Sequence, residues 1–360
     1  MTANLSLCSG AGTLDLAVEQ ITGNKTTVYA ENDPFASRVM EARFPWATNV
    51  GDITTADWAA IAAQYQIESL TGGFSCQDIS NAGKRAGIHG KRSSVWKNFA
   101  EAVRVIRPGL VFLENVEALR TKDRGLDVVL ADLAALGYDA RWTCLRASEV
   151  GAPHQRWRWF CIAYPADAYP VGTGWHGGAW DLAQAEGRHE PADRGLAVAA
   201  AGGAELALLP TPAARDWKSG ASNLMGLRGE GRPLNEFVVN MLKGSLPDEQ
   251  WISTAGVDYG PAIRSWEAIL GRPAPAPVER GPRGGRALAA RFTEWMQGND
   301  EGWITDVDIP RNEQIKIAGN QAITRQAVEG YRRLLTADLD GLAGDGLIAG
   351  DLDLFVAGDV

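Results

Sequence analysis

The first half of the chain alternates short apolar segments with longer segments whose apolar residues fall at helical spacing. The helical spacing occurs over residues 14–21, 95–106 and 126–136. The segments between them are short and rich in β-branched or aromatic residues, which is typical of strands. This alternation predicts an α/β fold in which parallel strands are joined by helices. The predicted strands are residues 5–8, 26–30, 69–74, 110–113, 141–146 and 157–163.

The pattern changes near Pro165, and from there to about Gly285 the chain is rich in Gly, Pro, Ala and Trp with little periodicity. Regular structure is predicted again from Ala287, with a late helix opened by Gly319 and Asn320. The Asp- and Gly-rich end is typical of a mobile tail. We therefore predict a main domain over 1–164, a smaller irregular domain over 165–286, a return segment over 287–335 that completes the main domain, and an acidic tail over 336–360.

Conspicuous glycines and polar residues follow the predicted strands. In an open parallel sheet, ligands bind at the carboxyl ends of the strands. The residues at those positions are therefore expected to share one rim of the sheet. They are Gly10, Gly12, Glu31, Asp52, Cys76 and Glu114.

The segment from Ser9 to Gly12 follows the first strand and opens a predicted helix. Glycines there let the backbone approach a ligand, and the helix N-terminus offers free N–H groups. Glu31 follows about 20 residues later, where folds of this kind hold ribose hydroxyls. The alternative for the glycines is an ordinary tight turn, and the alternative for Glu31 and Asp52 is a helix cap.

Cys76 lies in a loop with the sequence Gly-Gly-Phe-Ser-Cys-Gln-Asp after the strand predicted at 69–74. A cysteine in such a loop is exposed enough to react, and a following helix N-terminus would favour its thiolate. The alternative is a buried structural cysteine, which the polar neighbours Gln77 and Asp78 disfavour.

Glu114 and two arginines complete the candidate chemistry. Glu114 ends an apolar strand, where poor solvation suits a group that holds or donates a proton; a salt bridge or helix cap is the alternative. Arg156 and Arg158 are two residues apart, so on a strand they would share a face. Paired guanidinium groups suit a phosphate or carboxylate.

The composition, 45% hydrophobic and 22% charged over 360 residues, is that of a folded protein with a large and a smaller domain. The four cysteines form no Cys-x-x-Cys pair and the four histidines form no ligand cluster, so no metal site is predicted. The N-terminus has no signal-peptide pattern, and no segment is apolar over the length needed to span a bilayer. We therefore predict a cytoplasmic protein without a membrane partner.

The net charge of −9 argues at first against a nucleic-acid partner. Six aspartates after Leu334 account for two thirds of that charge. Because salt screens charges beyond about 10 Å, an acidic protein can still present a basic face to DNA. Five basic residues with no acid among them predict such a face: Lys84, Arg85, Lys91, Arg92 and Lys97.

Taken in this order, the segments resemble the C5-cytosine DNA methyltransferases of bacteria and their phages. The resemblance covers about residues 5–163 and again 291–335. It rests on seven segments in a fixed order. They are the Gly-rich loop with Gly10 and Gly12, the acid Glu31, the Gly-Asp pair that ends in Asp52, the Cys-Gln loop with Cys76, the Glu-Asn-Val segment that begins at Glu114, the Arg-x-Arg segment from Arg156 to Arg158, and the late Gly-Asn helix at Gly319. It implies a Rossmann-like S-adenosylmethionine-dependent methyltransferase domain, with residues 165–286 as the target recognition domain.

The resemblance also implies a cofactor and a set of catalytic roles. Cys76 would attack carbon 6 of cytosine, Glu114 would hold or protonate N3, and Asn115 would support the loop. Arg156 and Arg158 would orient the flipped base. The cofactor would be S-adenosylmethionine, held by Gly10, Gly12, Leu14, Glu31, Asp52 and Asn320.

The implied partner is double-stranded DNA, read by a monomer, and the resemblance allows a cognate restriction endonuclease as a further partner. Candidate DNA contacts are residues 211–218 and the cluster Arg280, Arg283 and Arg286, for which a solvated surface loop is the alternative. Ser75 stands where the family usually has proline, which leaves the loop looser. Two rival functions remain open: a tRNA cytosine-5 methyltransferase and a catalytically silent DNA-binding homologue.

Overall fold

The computed structural model of the chain describes residues 2–74, 94–121, 124–167, 198–199, 205–218, 233–240, 242, 251–281 and 284–336. The chain divides into two compact units. The first comprises Met1–Leu145, Trp157–Arg188 and Ala327–Val360, and the second comprises Arg146–Arg156 and His189–Gln326. The predicted return segment is therefore divided, because residues 287–326 belong to the second unit and only 327–335 belong to the first.

The first unit contains a seven-stranded sheet, which confirms the predicted α/β class. Its strands are β1 (Ala3–Leu7), β2 (Lys25–Ala30), β3 (Thr48–Asn49), β4 (Ile67–Gly73), β5 (Leu110–Val116), β6 (Tyr138–Arg146) and β7 (Trp157–Pro165). Their order across the sheet is β3-β2-β1-β4-β5-β7-β6. Strands β1 to β5 pair in parallel, whereas β7 runs antiparallel to β5. Only residues 147–156 separate β6 from β7, and they include no α-helix of the kind that a parallel return needs.

The register of the parallel strands brings their carboxyl ends to one edge of the sheet. Leu7 of β1 pairs with Ala30 of β2 and with Gly72 of β4. The next residue of β4, Gly73, pairs with Glu114 of β5. The loops that follow β1, β2 and β4 therefore begin side by side, as the sequence predicts.

Helices of the first unit connect these strands: α1 (Thr13–Thr22), α2 (Pro34–Arg43), α3 (Trp58–Gln64), α4 (Ser94–Ile106) and α5 (Leu126–Ala135). The sequence pattern predicts α1, α4 and α5 closely. Helix α2 begins after Asp33, whose carboxylate accepts hydrogen bonds from two N–H groups of the first turn. The core between helices and sheet includes Phe74 and Trp96, whose ring centroids lie 5.1 Å apart.

The second unit has helices α6 (Leu234–Asn240), α7 (Gly260–Leu270), α8 (Ala290–Met296) and α9 (Arg311–Asn320). Its described strands form two small pairs, β8 (Val198–Ala199) with β9 (Glu205–Leu206), and β10 (Val278–Arg280) with β11 (Arg286–Leu288). Tryptophans occupy its core, and the Trp266 indole donates to the Trp295 carbonyl at 3.0 Å. The predicted opening of a helix at Gly319 and Asn320 is wrong, because both residues end α9.

The last described helix, α10 (Thr324–Thr336), contributes its residues from Ala327 onward to the first unit. Tyr331 packs edge-on against Phe112 and Phe160, and its hydroxyl donates to the Leu113 carbonyl at 3.1 Å. A side chain at Gly330 would collide with the Phe160 ring. The end of α10 thus completes the core on one face of β5 and β7.

Candidate active site

The glycines after β1 serve two different purposes. Both have left-handed backbone, with φ of 58° at Gly10 and 74° at Gly12. A Cβ built on Gly12 would lie 2.3 Å from the Phe44 ring, so Gly12 allows close packing at the start of α1. A Cβ built on Gly10 would meet no described atom within 4 Å, so no described residue fills the space beside Gly10. Leu14, also predicted for this site, is buried in the first turn of α1.

Glu31 connects the end of β2 to the glycine loop. Its carboxylate accepts the Gly10 N–H and the Asp33 N–H, each at 2.8 Å. Burial raises the pKa of Glu31 above its usual range, while these N–H groups act in the opposite direction. Each carboxylate oxygen retains acceptor capacity for a further donor.

Asp52 joins the same edge through the loop after β3. One carboxylate oxygen accepts the N–H and the hydroxyl of Thr54, both at 2.8 Å, and the other accepts the Asn32 amide at 3.0 Å. Hydrogen bonds from Thr54 and then from Asn32 lower the pKa of Asp52. Asn32, which bonds to Asp52, is the residue after Glu31. Gly10, Glu31 and Asp52 therefore form one connected rim, as the sequence predicts.

The described cysteines are poor nucleophiles. Burial raises the pKa of Cys8 to about 12, and the charges of Glu31 and Asp52 add to this shift. Burial likewise raises the pKa of Cys144 to about 12 and raises that of Cys161. The nucleophile is the thiolate, so none of these three suits covalent catalysis at neutral pH. The predicted nucleophile, Cys76, lies outside the described residues.

The residues that follow Leu113 on β5 lie beside the start of the Cys76 segment. Asn115 donates its side-chain amide to the Phe74 carbonyl at 3.2 Å, two residues before Cys76. The contact reaches the last described residue before the Cys76 loop, and the supporting role of Asn115 in that loop stays a prediction. Glu114 forms an ion pair with Arg158 of β7, with a nitrogen–oxygen distance of 2.9 Å and both side chains largely buried. The salt bridge left open as an alternative for Glu114 is therefore present.

The structure contradicts the expectation that Arg156 and Arg158 share a strand face. Arg156 precedes β7, has a φ of 33° and belongs to the second unit. Its buried guanidinium donates to the carbonyls of Pro212 and Gly319, both at 3.2 Å, and to that of Gln321. Within the second unit Arg156 therefore holds backbone segments together. Asn320, predicted to bind the cofactor, is exposed in the same unit.

Comparison with known proteins decides the family. The sequence profile of the C-5 cytosine-specific DNA methylase family matches residues 2–183, which is half of the chain. The chain belongs to this family.

Two relatives within the C-5 cytosine methylase family illustrate the extent of the similarity. The type II methyltransferase M.CviJI of Paramecium bursaria Chlorella virus IL3A is 33% identical over 142 residues, which are 39% of this chain and 38% of the relative. The type II methyltransferase M.MspI of Moraxella sp is 32% identical over 165 residues, which are 44% of this chain and 38% of the relative. The chain therefore matches well under half of the length of these relatives.

Solved structures confirm the predicted Rossmann-like methyltransferase fold. The S. pombe Dnmt2 methyltransferase has a TM-score of 0.53 at 16% identity, with 94% of this chain and 100% of that chain covered. The Entamoeba histolytica methyltransferase EhMeth has a TM-score of 0.52 at 14% identity, with 94% and 99% covered. At these identities the likeness concerns the fold alone.

A buried polar network beneath the glycine loop was not predicted from the sequence. Asn4 of β1 accepts hydrogen bonds from Ser69 and Thr71 of β4, at 2.9 and 2.8 Å, and donates to Asp15 of α1 at 3.3 Å. A second strand residue, Ser6, also bonds to Asp15 and so extends the network. The sequence feature that could have revealed this network is the presence of polar residues within the otherwise apolar segment 3–7.

Ser6 carries this network to the glycine loop. Its hydroxyl oxygen lies 2.7 Å from the Ser9 hydroxyl oxygen, which is hydrogen-bond distance. Burial raises the pKa of Asp15 to about 7, partly opposed by the hydrogen bond from Ser6. Asp15 is thus a titratable group connected to the rim of this methylase-family fold.

In the described part of the chain, no three His, Cys, Asp or Glu side chains are grouped as metal ligands. None of the described helices has the length and apolar character needed to cross a membrane.

Proposed function

We propose that this chain is a DNA (cytosine-5-)-methyltransferase that uses S-adenosylmethionine and acts through a covalent adduct of Cys76 with cytosine. The proposal rests on the membership of the C-5 cytosine methylase family. The observation that carries it is the arrangement at the carboxyl ends of β4 and β5, where Asn115 contacts Phe74 and Glu114 pairs with Arg158. These contacts support both a positioned carboxylate and a fixed start for the segment with Cys76.

The rim after β1 and β2 fits S-adenosylmethionine. No described residue fills the space beside Gly10, and the partly buried Glu31 carboxylate can accept hydrogen bonds from ribose hydroxyls there. Gly12, Leu14 and Asp52 would complete the pocket. When bound, this cofactor supplies an electrophilic methyl group.

Cytosine needs activation because its carbon 5 is a poor nucleophile. The Cys76 thiolate would add to carbon 6 while N3 takes a proton, and carbon 5 could then take the methyl group from the sulfonium, which would be released as a thioether. A base would remove the carbon 5 proton, the Cys76 thiolate would leave, and N3 would give its proton back. Glu114 would hold the ring at N3, and Arg158 would orient Glu114 through their ion pair. The target base must leave the helical stack, because these steps do not fit inside a duplex.

The decisive experiment is bisulfite sequencing of genomic DNA from a methylation-free host that expresses the protein. We expect protected cytosines at one recurring short sequence, and no protection with Cys76→Ala. Soluble wild-type protein without protected cytosines would contradict the proposal. Methylation of cytosine in the host's tRNA would then favour the RNA-modifying alternative, whereas no methylation of either would favour the silent homologue.

The biological setting proposed is restriction-modification or the protection of phage DNA. Relatives in bacteria and a chlorella virus carry the name type II methyltransferase, which supports this setting and a cognate endonuclease as a partner. The enzyme would act as a monomer in the cytoplasm.

A further inference from the structure

A short turn of the second unit presents cationic and aromatic side chains to solvent. The 3-10 helix Ala214–Trp217 places Asp216 inside, while Arg215 and Lys218 are exposed and Trp217 has 43% of its surface accessible. We call Arg215, Trp217 and Lys218 the turn surface.

The backbone of this turn is held on both sides. The Asp216 carboxylate accepts the Ala213 N–H at 2.7 Å, and the Lys218 carbonyl accepts the side-chain amide of Asn235 in α6 at 2.7 Å. Gly319 of α9 lies so close that a Cβ there would be 2.3 Å from the carbonyl carbon of Ala213. The turn surface is therefore displayed on a fixed backbone, and a ligand meets side chains that are already positioned.

The side chains of the turn surface have few partners of their own. The Lys218 ammonium lies 5.9 Å from the centre of the Trp217 ring. Among the described residues, Arg215 and Lys218 form no salt bridge and the Trp217 indole N–H donates no hydrogen bond. Trp46, the other exposed tryptophan in the described part, differs because its indole donates to the Thr26 carbonyl.

We propose that the turn surface contacts the backbone of double-stranded DNA, an inference that rests on the proposed function and adds one of its DNA contacts. Two exposed cations within four residues match two phosphates, and such contacts fix the register of a protein on a duplex. The flat indole between them packs against sugar or an exposed base. This concentrated positive charge belongs to a chain of net charge −9, whose overall field repels DNA.

The test measures binding of a short fluorescein-labelled duplex of mixed sequence to the full-length protein over a series of salt concentrations. The variant Arg215→Gln/Lys218→Gln should lower the slope of log affinity against log salt by about 2, one for each phosphate contact. Trp217→Ala should weaken binding about five- to tenfold, and Trp217→Phe should retain most of the affinity because it keeps a ring.

The matched control is Lys25→Gln/Arg104→Gln, which removes the same two kinds of charge from exposed positions of the first unit. It should leave the slope unchanged. The inference is overturned if the turn-surface variants bind DNA as the control does, or if they lose affinity for tRNA only. Calorimetric binding of S-adenosylhomocysteine by each variant shows that the fold is intact. If the wild type binds this cofactor product but no DNA, the proposed function fails as well.

Discussion

At the scale of single residues, the site depends on acids whose surroundings differ. Asp52 is stabilised as a carboxylate by Thr54 and Asn32, whereas burial disfavours the charged form of Glu31 and, more strongly, that of Asp15. The unused oxygen of Asp15, Oδ2, has no hydrogen-bond partner among the described residues. A buried carboxylate with an unpaired oxygen is costly when ionised, so protonation of Asp15 should affect stability.

The pH dependence of folding tests this cost. Burial raises the pKa of Asp15 from 3.8 to about 7, so the folded protein binds this proton more tightly than the unfolded chain. The free energy of unfolding therefore loses up to about 4 kcal/mol as pH rises from about 4 to about 7, and the loss is complete above that range. Asp15→Asn cannot ionise and should lack this component.

Urea unfolding of both proteins across this pH range measures the effect. Relative to the wild type, Asp15→Asn should become more stable as pH rises. Asp57→Asn is the matched control, because Asp57 is an exposed helix cap that asparagine can replace. A constant difference between Asp15→Asn and wild type at every pH would refute the assignment.

At the scale of elements, the start of strand β7 lies between two arginines that have different contacts. Arg158 on the strand pairs with Glu114 of β5, whereas Arg156 before it binds three backbone carbonyls of the second unit. Only Trp157 lies between them in the sequence, which hides this difference. The consequence is that equivalent substitutions at the two positions should fail in different ways.

The variants Arg156→Gln and Arg158→Gln make this comparison. Arg156→Gln leaves buried carbonyls without donors and should lower the free energy of unfolding by about 2–4 kcal/mol. Arg158→Gln should unfold at a urea concentration closer to wild type but lose methyl transfer, since Glu114 is no longer oriented. Urea denaturation measures the loss of stability, and methylation of plasmid DNA measures the loss of methyl transfer. The division of roles fails if Arg156→Gln unfolds as the wild type does.

Prediction succeeded for α1, α4 and α5, whose periodicity is uninterrupted, and failed for α7, where glycine and proline obscure it. Helix α7 was not predicted, although Ile263 and Trp266 of its buried face are three residues apart. It begins with Gly260 and Pro261, in a part of the chain rich in such residues. Its stability comes from packing Trp266 in the core of the second unit, which a local pattern does not reveal.

At the scale of the whole molecule, net charge opposes the proposed binding of DNA. Six of the nine net negative charges come from aspartates after Leu334. Long-range repulsion of this kind slows association and is screened by salt. The acidic end should therefore weaken DNA binding at low ionic strength and matter little at high ionic strength.

A variant that ends at Thr336 tests this effect. It should bind duplex DNA more tightly and faster than the full chain in low salt, and the two affinities should converge as salt is raised. Stopped-flow association and equilibrium anisotropy measure the difference. A chain of the original length with the six aspartates changed to asparagine distinguishes the effect of charge on DNA binding from the effect of chain length. If the shortened chain still bound DNA more tightly than the full chain at high salt, the cause would not be electrostatic.

The sequence by itself determined the α/β class, six of the seven strands of the first unit's sheet (β3 was missed), and the rim with Gly10, Glu31 and Asp52. It could do so because strand periodicity and the residues at strand ends are local features, and parallel strands bring their carboxyl ends to one edge.

Only the tertiary structure decided which partners the polar residues have. The ion pair of Glu114 joins strands that are distant in sequence, and the buried Asp15 accepts a hydrogen bond from Asn4 of β1, which Ser69 of β4 also contacts. Arg156 received its carbonyl partners from segments more than 50 residues away. Burial and charge pairing depend on such long-range contacts, so the protonation of Asp15 and the separate tasks of the two arginines follow from the fold rather than from any motif.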